Sequence, residues 1–153
     1  MNAAQPFTLK KLREFASLLG AAPSARRVLV VDDDEYIGQF VARALRTAGY
    51  LVETATSARE ALETLESGAA FDVVVTDVRM PAMSGPRLID RWRESEPDVK
   101  VLYLTGYQRQ LFAERGTLLR DEALLEKPCT VSELLASVAS LLNGGFSPPV
   151  ASH

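Results

Sequence analysis

Cysteine and histidine are almost missing from this chain of 153 residues, and each shortage excludes a class of chemistry. Cys129 is the one cysteine, so no internal disulfide can form, which is typical of a reducing compartment and predicts a cytoplasmic location. The one histidine is His153, the last residue of the sequence. A Ser-His-Asp triad and a multi-histidine metal site therefore lack the residue on which they depend.

Long apolar runs and an excess of basic charge are also missing. No apolar stretch reaches the ~18 residues of a membrane span, so we predict no membrane-spanning segment. The formal net charge is −3, so the surface as a whole does not favour direct binding to nucleic acid. The composition, 47 % hydrophobic and 24 % charged, is typical of a soluble globular domain that buries a core.

Strand and helix patterns alternate from residue 28 onward. Short apolar runs predict strands at residues 28–31, 50–54, 71–75, 99–104 and 123–125. Apolar residues at helical spacing predict helices at 34–48, 57–68, 86–96 and 130–143. Asp34 is a favoured N-cap, and Ser57–Glu60 and Thr130–Glu133 have the spacing of capping boxes. Two glycines and scattered arginines blur the pattern at 106–120, so the helix there is predicted to be short or irregular.

This alternation requires parallel strands joined by right-handed helical crossovers. The predicted fold is therefore an α/β, doubly wound, three-layer sandwich, which we place at residues 27–143. Residues 1–26 are predicted to form an N-terminal extension, with a short amphipathic helix at 8–19 followed by a linker. Residues 144–153 are predicted to be a flexible tail.

Polar side chains follow the predicted strands at their carboxyl ends, where ligands bind in a doubly wound sheet. Asp32 and Asp33 follow the first strand and Asp77 the third, while Thr105 and Lys127 follow the fourth and fifth. Carboxylates crowded at one rim repel each other unless a cation lies between them. A site of oxygen ligands favours a hard ion, so the pattern predicts Mg²⁺.

This set of groups is suited to phosphoryl transfer. A carboxylate that faces a divalent ion, an ammonium and a hydroxyl can attack phosphorus and form an acyl phosphate. Mg²⁺ would bridge Asp77 and a phosphoryl oxygen, while Lys127 would pair with another oxygen. Thr105 would donate a hydrogen bond, for which it has to move toward the phosphoryl group. Such a movement converts chemistry into a change of surface, so a phosphorylation switch is predicted.

Five short motifs in order along residues 27–143 resemble those of receiver domains of two-component response regulators. They are Val30-Val-Asp-Asp33, Asp77-Val-Arg-Met-Pro81, Ser84-Gly85, Leu104-Thr105-Gly106 and Lys127-Pro128. The resemblance implies a flavodoxin-like sandwich with a five-stranded parallel sheet in the order 2-1-3-4-5. The stretches around the last two motifs look more like receivers of hybrid histidine kinases than like DNA-binding regulators.

The resemblance also implies a role for each of the acids that follow the predicted strands. Asp77 is the phosphoacceptor. Mg²⁺ is held by Asp32, Asp33 and Asp77, with the Arg79 backbone carbonyl as a further ligand. The implied phosphodonor is a histidine kinase or a histidine phosphotransfer protein, and the output is the binding of an unidentified downstream protein.

The remaining implied roles concern the switch and the lifetime of the phosphorylated form. Thr105 is the switch hydroxyl, and Lys127 pairs with the phosphoryl group and precedes a cis peptide bond. Arg79 and Tyr107, two residues past Asp77 and Thr105, tune dephosphorylation. Leu124 is a departure, because an aromatic switch residue usually stands three positions before the lysine.

Two other functions stay open. A haloacid-dehalogenase-like phosphohydrolase would use Asp32 as its nucleophile and would need a further acidic pair after Lys127, where only Glu133 remains. A receiver-like module that binds partners without phosphorylation would need none of the rim residues that are present. We expect a stand-alone switch, with no enzymatic activity beyond its own phosphorylation and dephosphorylation, and we make no prediction of its oligomeric state.

Overall fold

The computed structural model describes residues 25–144, in which five strands alternate with five helices. In chain order they are β1 (Arg27–Val31), α1 (Glu35–Thr47), β2 (Leu51–Ala55), α2 (Ala58–Glu66), β3 (Val73–Thr76), α3 (Gly85–Arg93), β4 (Lys100–Thr105), α4 (Gln108–Arg115), β5 (Glu122–Glu126) and α5 (Val131–Leu142). The strands form one parallel sheet in the order β2-β1-β3-β4-β5, which confirms the predicted topology. The helix predicted at 8–19 and the tail from residue 145 lie outside the described residues. Within residues 25–144, no helix combines the length and apolar character needed to cross a bilayer.

The sheet lies between two apolar layers, and its central strands contribute to both. Val30 and Val75 belong to the layer that contains α1 and α5, whereas Leu29 and Val74 belong to the layer that contains α2, α3 and α4. Every residue of β3 is buried. Because successive side chains of a strand point to opposite faces, a strand covered on both sides is apolar along its length. This packing explains the uninterrupted apolar runs of the sequence.

Four of the helices begin at a polar side chain that accepts a backbone hydrogen bond, as N-caps do. These N-caps are Asp34, Ser57, Ser84 and Thr130. The capping box predicted for Thr130 and Glu133 is confirmed, with both hydrogen bonds present. The box predicted for Ser57 and Glu60 is only half formed. Glu60 Oε2 accepts from the Thr56 N–H and hydroxyl, at 3.1 and 2.9 Å, instead of closing onto Ser57.

α4 is the helix that is least embedded in the core. It is short, as predicted, and Leu111 is its one buried residue. No side chain caps its start, and it ends at Gly116, whose φ of 73° lies in the left-handed region that glycine adopts without strain. Phe112 is 44 % exposed. Apolar packing therefore contributes little to the attachment of α4.

Candidate functional site

Two acidic strand ends meet near the middle of the sheet. β1 and β3 are neighbours with Val31 opposite Thr76, so Asp32 and Asp77 leave the sheet side by side. The Asp77 N–H donates to the Val31 carbonyl at 3.0 Å, which extends this alignment past the last paired residues. One carboxylate oxygen from each of Asp32, Asp33 and Asp77 lies within 4.8 Å of the others. The structure therefore brings together the three acids that were predicted from the sequence to lie at one edge of the sheet.

Lys127 reaches these three acids from the end of β5, and we call the four residues the acidic rim. Its Nζ donates to Asp32 Oδ2 at 2.8 Å and to Asp77 Oδ2 at 3.2 Å. Burial disfavours the ammonium, but the hydrogen bond and charge of Asp32, together with those of Asp77, outweigh it and raise the pKa of Lys127. The peptide bond from Lys127 to Pro128 is cis, as predicted. Lys127 is thus a fixed positive charge between two of the acids.

The acidic rim has more negative charge than Lys127 balances. Three carboxylates lie together, and one ammonium pairs with two of them, Asp32 and Asp77. Burial raises the pKa of Asp32, although hydrogen bonds from Lys127 and from the Asp34 N–H favour its ionised form. A hard divalent cation would supply the missing positive charge, and carboxylate oxygens are the ligands that such ions prefer. This donor set fits Mg²⁺.

Asp77 is held in one orientation at the wall of an open pocket. Its Oδ1 accepts the Val78 N–H at 2.7 Å, while Oδ2 accepts from Lys127. Its carbonyl accepts the Thr76 hydroxyl at 2.9 Å. A Cβ at Gly85 would lie 2.1 Å from the same carbonyl oxygen, so α3 can begin this close to Asp77 only because position 85 is glycine. Both the side chain and the backbone of Asp77 are therefore fixed by their neighbours.

Thr105 ends β4 beside the site, but its hydroxyl is bound away from the carboxylates. The residue is fully buried, and its Oγ1 accepts the Tyr107 N–H at 2.9 Å. Its carbonyl accepts the Lys127 N–H at 3.0 Å, which aligns the end of β5 with that of β4. In the described part of the chain, no hydrogen bond joins Thr105 to Asp77. The switch role of Thr105 stays a prediction, and it requires the movement expected from the sequence.

Arg79 and Tyr107 lie together in the wall of the pocket. The Arg79 guanidinium carbon is 4.9 Å from the centre of the Tyr107 ring, within the range of cation–π attraction. Both residues line the pocket that contains the carboxylates of Asp32 and Asp77. The two positions implied to tune dephosphorylation are therefore in contact. That role, and the role of the Arg79 carbonyl as a metal ligand, stay predictions.

Sequence reasoning missed a second group of charged residues, which lies inside the protein beneath α4. Glu122 is 1 % exposed and accepts hydrogen bonds from the Tyr103 hydroxyl at 2.8 Å and the Leu119 N–H at 3.0 Å. Arg93 and Arg115 pair with the same carboxylate, at 3.3 and 3.6 Å. We call Tyr103, Glu122, Arg93 and Arg115 the buried charge cluster. Its only signals in the sequence were a tyrosine within one apolar run and a glutamate before another.

Comparisons with known proteins agree with this geometry. The model of the response regulator receiver domain family matches residues 28–139. The sensor kinase CckA of Brucella abortus is 36 % identical over 134 residues, which are 87 % of this chain and 14 % of that protein. The response regulator receiver protein CpdR of the same species is 31 % identical over 117 residues, 76 % of this chain and 97 % of that protein. The crystal structure of the receiver domain from the hybrid histidine kinase CckA has a TM-score of 0.64 and 30 % identity, covering 76 % and 98 % of the two chains.

These relatives differ in how much of their length the chain spans. It spans 14 % of the sensor kinase but 97 % of the receiver protein. The likeness to receivers of hybrid histidine kinases, predicted from the sequence, is confirmed. The similarity concerns the receiver region alone, so the activities of the rest of the larger relative are not part of it.

Proposed function

The chain belongs to the family of response regulator receiver domains, and from this premise we propose that Asp77 accepts a phosphoryl group from a histidine kinase or a histidine phosphotransfer protein. The observation that carries the proposal is the meeting of Asp32, Asp33, Asp77 and Lys127 at one rim of the sheet. The phosphorylated form then differs in the partner that it binds. We propose a signalling switch, with no reaction beyond its own phosphorylation and dephosphorylation.

The transfer is a displacement at phosphorus. A carboxylate oxygen of Asp77 forms a bond to phosphorus while the bond from phosphorus to the donor's histidine nitrogen breaks, and that nitrogen keeps the electron pair. The Val78 N–H holds Oδ1 of Asp77 and so limits rotation of the carboxylate during the approach. Lys127 exchanges its hydrogen bond to Asp77 Oδ2 for one to a phosphoryl oxygen. Thr105 moves to donate a hydrogen bond to another phosphoryl oxygen.

Asp32, Asp33 and Asp77 are the residues that would hold Mg²⁺, with the Arg79 carbonyl as a further ligand. When bound, Mg²⁺ neutralises charge on the phosphoryl oxygens and on the rim. Asp32 is kept in place by the Asp34 N–H, which donates to its Oδ1 at 2.9 Å. Asp33 is exposed, so it offers its carboxylate from the solvent side. The site therefore combines one buried and one accessible acid around Asp77.

The Arg79–Tyr107 contact gives a physical reason for the proposed control of dephosphorylation. Hydrolysis of the acyl phosphate requires water to reach phosphorus through the pocket. The guanidinium and the ring lie against each other in the wall of this pocket, and we infer that they narrow the path of such a water. The pair would therefore slow hydrolysis as long as the contact persists.

The proposal is tested by exposing the protein to acetyl phosphate with and without Mg²⁺ and locating the modified residue by mass mapping. We expect one phosphoryl group, on Asp77, that forms only with Mg²⁺ and is labile to hydroxylamine, as acyl phosphates are. Modification of Asp32 instead would support the phosphohydrolase alternative. No modification of the protein by this donor or by a phosphorylated histidine phosphotransfer protein would support a module that binds without phosphorylation.

The phosphohydrolase alternative is disfavoured by the surroundings of Glu133. This is the one acid after Lys127, and its carboxylate is bound to the Thr130 N–H in the capping box of α5. Residues 128–153 therefore offer no acidic pair of the kind that such an enzyme needs. The identity of the downstream partner and the cytoplasmic location stay predictions.

A further inference from the structure

α4 is attached to the protein by polar contacts at both of its ends. At the start, the Tyr107 N–H donates to Thr105 Oγ1. At the end, the Arg115 guanidinium donates to the Pro86 carbonyl at 3.0 Å and to the Tyr103 hydroxyl at 3.2 Å. Arg115 also pairs with Asp90 on α3. Because α4 buries a single apolar residue, these polar contacts carry much of its attachment.

The contact at the end of α4 is strong in charge but incomplete in hydrogen bonding. Glu122 is buried, so its negative charge depends on the cations beside it. Arg115 Nε lies 3.6 Å from Glu122 Oε2, too far for a hydrogen bond. Within residues 25–144, this buried Nε has no hydrogen-bond partner. A buried donor left in this way lowers the free energy needed to displace the helix.

We propose that Arg115, through its contacts with Tyr103, Glu122, Pro86 and Asp90, is a latch that sets how readily α4 leaves the sheet, and that phosphorylation acts against this latch. The second part rests on the proposed function. Thr105 holds the start of α4, so its movement toward a phosphoryl group weakens that attachment. The Arg115 latch is then one of two polar attachments that oppose displacement of the helix, the other being the hydrogen bond from the Ser84 hydroxyl to Glu114 Oε2 at 2.9 Å.

The geometry of β4 links the two attachments. Thr105 and Tyr103 are two residues apart on one strand, so their side chains point to the same face. One binds the start of α4 and the other binds its last residue, Arg115. A displacement of the end of β4 therefore reaches α4 at both points. Arg115 acts through these groups as a positioning residue, and within residues 25–144 no hydrogen bond or ion pair joins it to Asp32, Asp33 or Asp77.

The first test needs no phosphorylation. Amide hydrogen exchange is measured in Arg115→Met and in the matched control Arg59→Met, which removes an exposed arginine paired with Glu63. We expect amides of α4 to exchange roughly ten-fold faster in Arg115→Met, the factor for losing a hydrogen bond to a charged group, with no change in the control. Equal acceleration in β5 and α5 would show a general loss of stability and overturn the latch, as would unchanged exchange in α4.

A second variant guards against unfolding caused by the weaker pairing of the buried Glu122 carboxylate, which keeps Arg93 but loses Arg115 in the single variant. Arg115→Met combined with Glu122→Met removes the carboxylate that Arg115 leaves behind and keeps an apolar side chain in its space. We expect α4 to exchange as fast in this double variant as in the single one, while the sheet stays protected. Arg115→Lys restores the charge without the planar fork, so its exchange should lie between the variant and the natural chain.

The coupling is tested with beryllofluoride and Mg²⁺, which together mimic the phosphorylated aspartate. If the bound site displaces α4, weakening the latch must strengthen binding, by at most the factor by which displacement becomes easier, because linkage is reciprocal. We expect Arg115→Met to bind beryllofluoride on the order of five-fold more tightly than the natural chain. Equal affinity would overturn the coupling. Failure of the natural chain to bind beryllofluoride would instead count against the proposed function and leave the exchange experiment to decide the latch.

Discussion

The acidic rim and the buried charge cluster both place carboxylates beside cations, but they balance charge in opposite ways. At the rim, three carboxylates lie together beside an open pocket, and a single ammonium pairs with two of them. In the buried charge cluster, Glu122 faces Arg93 and Arg115 and is closed off from solvent, while Asp90 pairs with Arg115 and balances the second positive charge. An unbalanced charge at a pocket is suited to a charged ligand, whereas a balanced and buried charge is suited to joining elements of the fold.

The pKa shifts follow the same division. Burial raises the pKa of Asp32 at the rim, so its charged form is disfavoured there. In the cluster, burial disfavours the Arg115 guanidinium, but hydrogen bonds from it to Tyr103 and Asp90 outweigh burial and raise its pKa. Burial, followed by the charge of Glu122, raises the pKa of Tyr103. The buried charge cluster thus favours the protonated forms of Tyr103 and Arg115, whereas burial at the rim disfavours the ionised form of Asp32.

The sharpest separation of the two regions comes from Asp77→Asn. The amide cannot form an acyl phosphate, so phosphorylation by acetyl phosphate should fall at least about 100-fold while the fold is kept. Intact-mass measurement gives the phosphorylated fraction, and circular dichroism checks the fold. Asp98→Asn, at an exposed position outside the pocket, is the control and should label normally. Acid-labile labelling that persists in Asp77→Asn would contradict the assignment.

Glu122→Gln tests the cluster, where the expected effect is on stability. The change leaves two arginines beside a neutral amide and weakens the hydrogen bond from Tyr103. We expect the free energy of unfolding to fall by about 3 kcal/mol, as when a buried ion pair is broken. Urea unfolding measures it, with Glu63→Gln on the exposed face of α2 as a control that changes it by less than about 0.5 kcal/mol. Equal values in both variants would mean that Glu122 contributes no more than an exposed carboxylate and would contradict the stabilising role of the cluster.

At the rim, Asp33→Asn should raise the stability of the metal-free protein, whereas Glu122→Gln lowers stability in the cluster. Removing one of the unbalanced charges relieves repulsion, so the metal-free protein should gain about 0.5 kcal/mol of stability. The same change removes a proposed ligand and should weaken Mg²⁺ binding roughly ten-fold. Urea unfolding without Mg²⁺ and a titration of Mg²⁺ give the two values. A loss of stability in the metal-free variant would mean that the rim is a structural cluster like the other.

The smallest expected effect is the pH dependence of stabilisation by Mg²⁺. Because the pKa of Asp32 is raised in the folded protein, its ionisation lowers stability as the pH rises above its unfolded value of 3.8. Mg²⁺ binds the ionised form, so protons compete with it at low pH. The rise in Tm on adding Mg²⁺ should therefore be smaller at about pH 5 than at about pH 8. A larger rise at the lower pH would contradict this sign.

The rim could be predicted from the sequence because its residues are placed by local chain geometry. Asp32 and Asp77 each follow an apolar strand directly, and parallel strands bring their carboxyl ends to one edge. The strand order itself came from the resemblance to a known family, since alternation alone gives only a doubly wound sheet. The doubly wound fold and the acidic rim could therefore be predicted from the strand pattern and the spacing of the residues.

The buried charge cluster was out of reach for the same reasoning. Glu122 meets Arg93 across 29 residues of chain, and no periodicity connects positions on a helix and a strand so far apart. Arg115 was among the arginines that blurred the helical pattern of residues 106–120. In the structure, polar contacts of Arg115 with Pro86 and Tyr103 occur where an amphipathic helix would pack an apolar face, and Leu111 is the one buried residue of α4. Binary patterning detects apolar faces and misses attachments of this kind.

The contact between Lys127 and Asp32 joins positions 95 residues apart, and this separation orders events during biosynthesis. A chain that emerges from the ribosome presents its acids early, yet it cannot complete their surroundings until β5 has been made and has paired with β4. Competence for phosphoryl transfer is then acquired last, after every other strand is in place. Nascent or truncated chains that lack β5 would contain Asp77, the proposed phosphoacceptor, without the Lys127 ammonium. We expect such chains to be poor acceptors of a phosphoryl group.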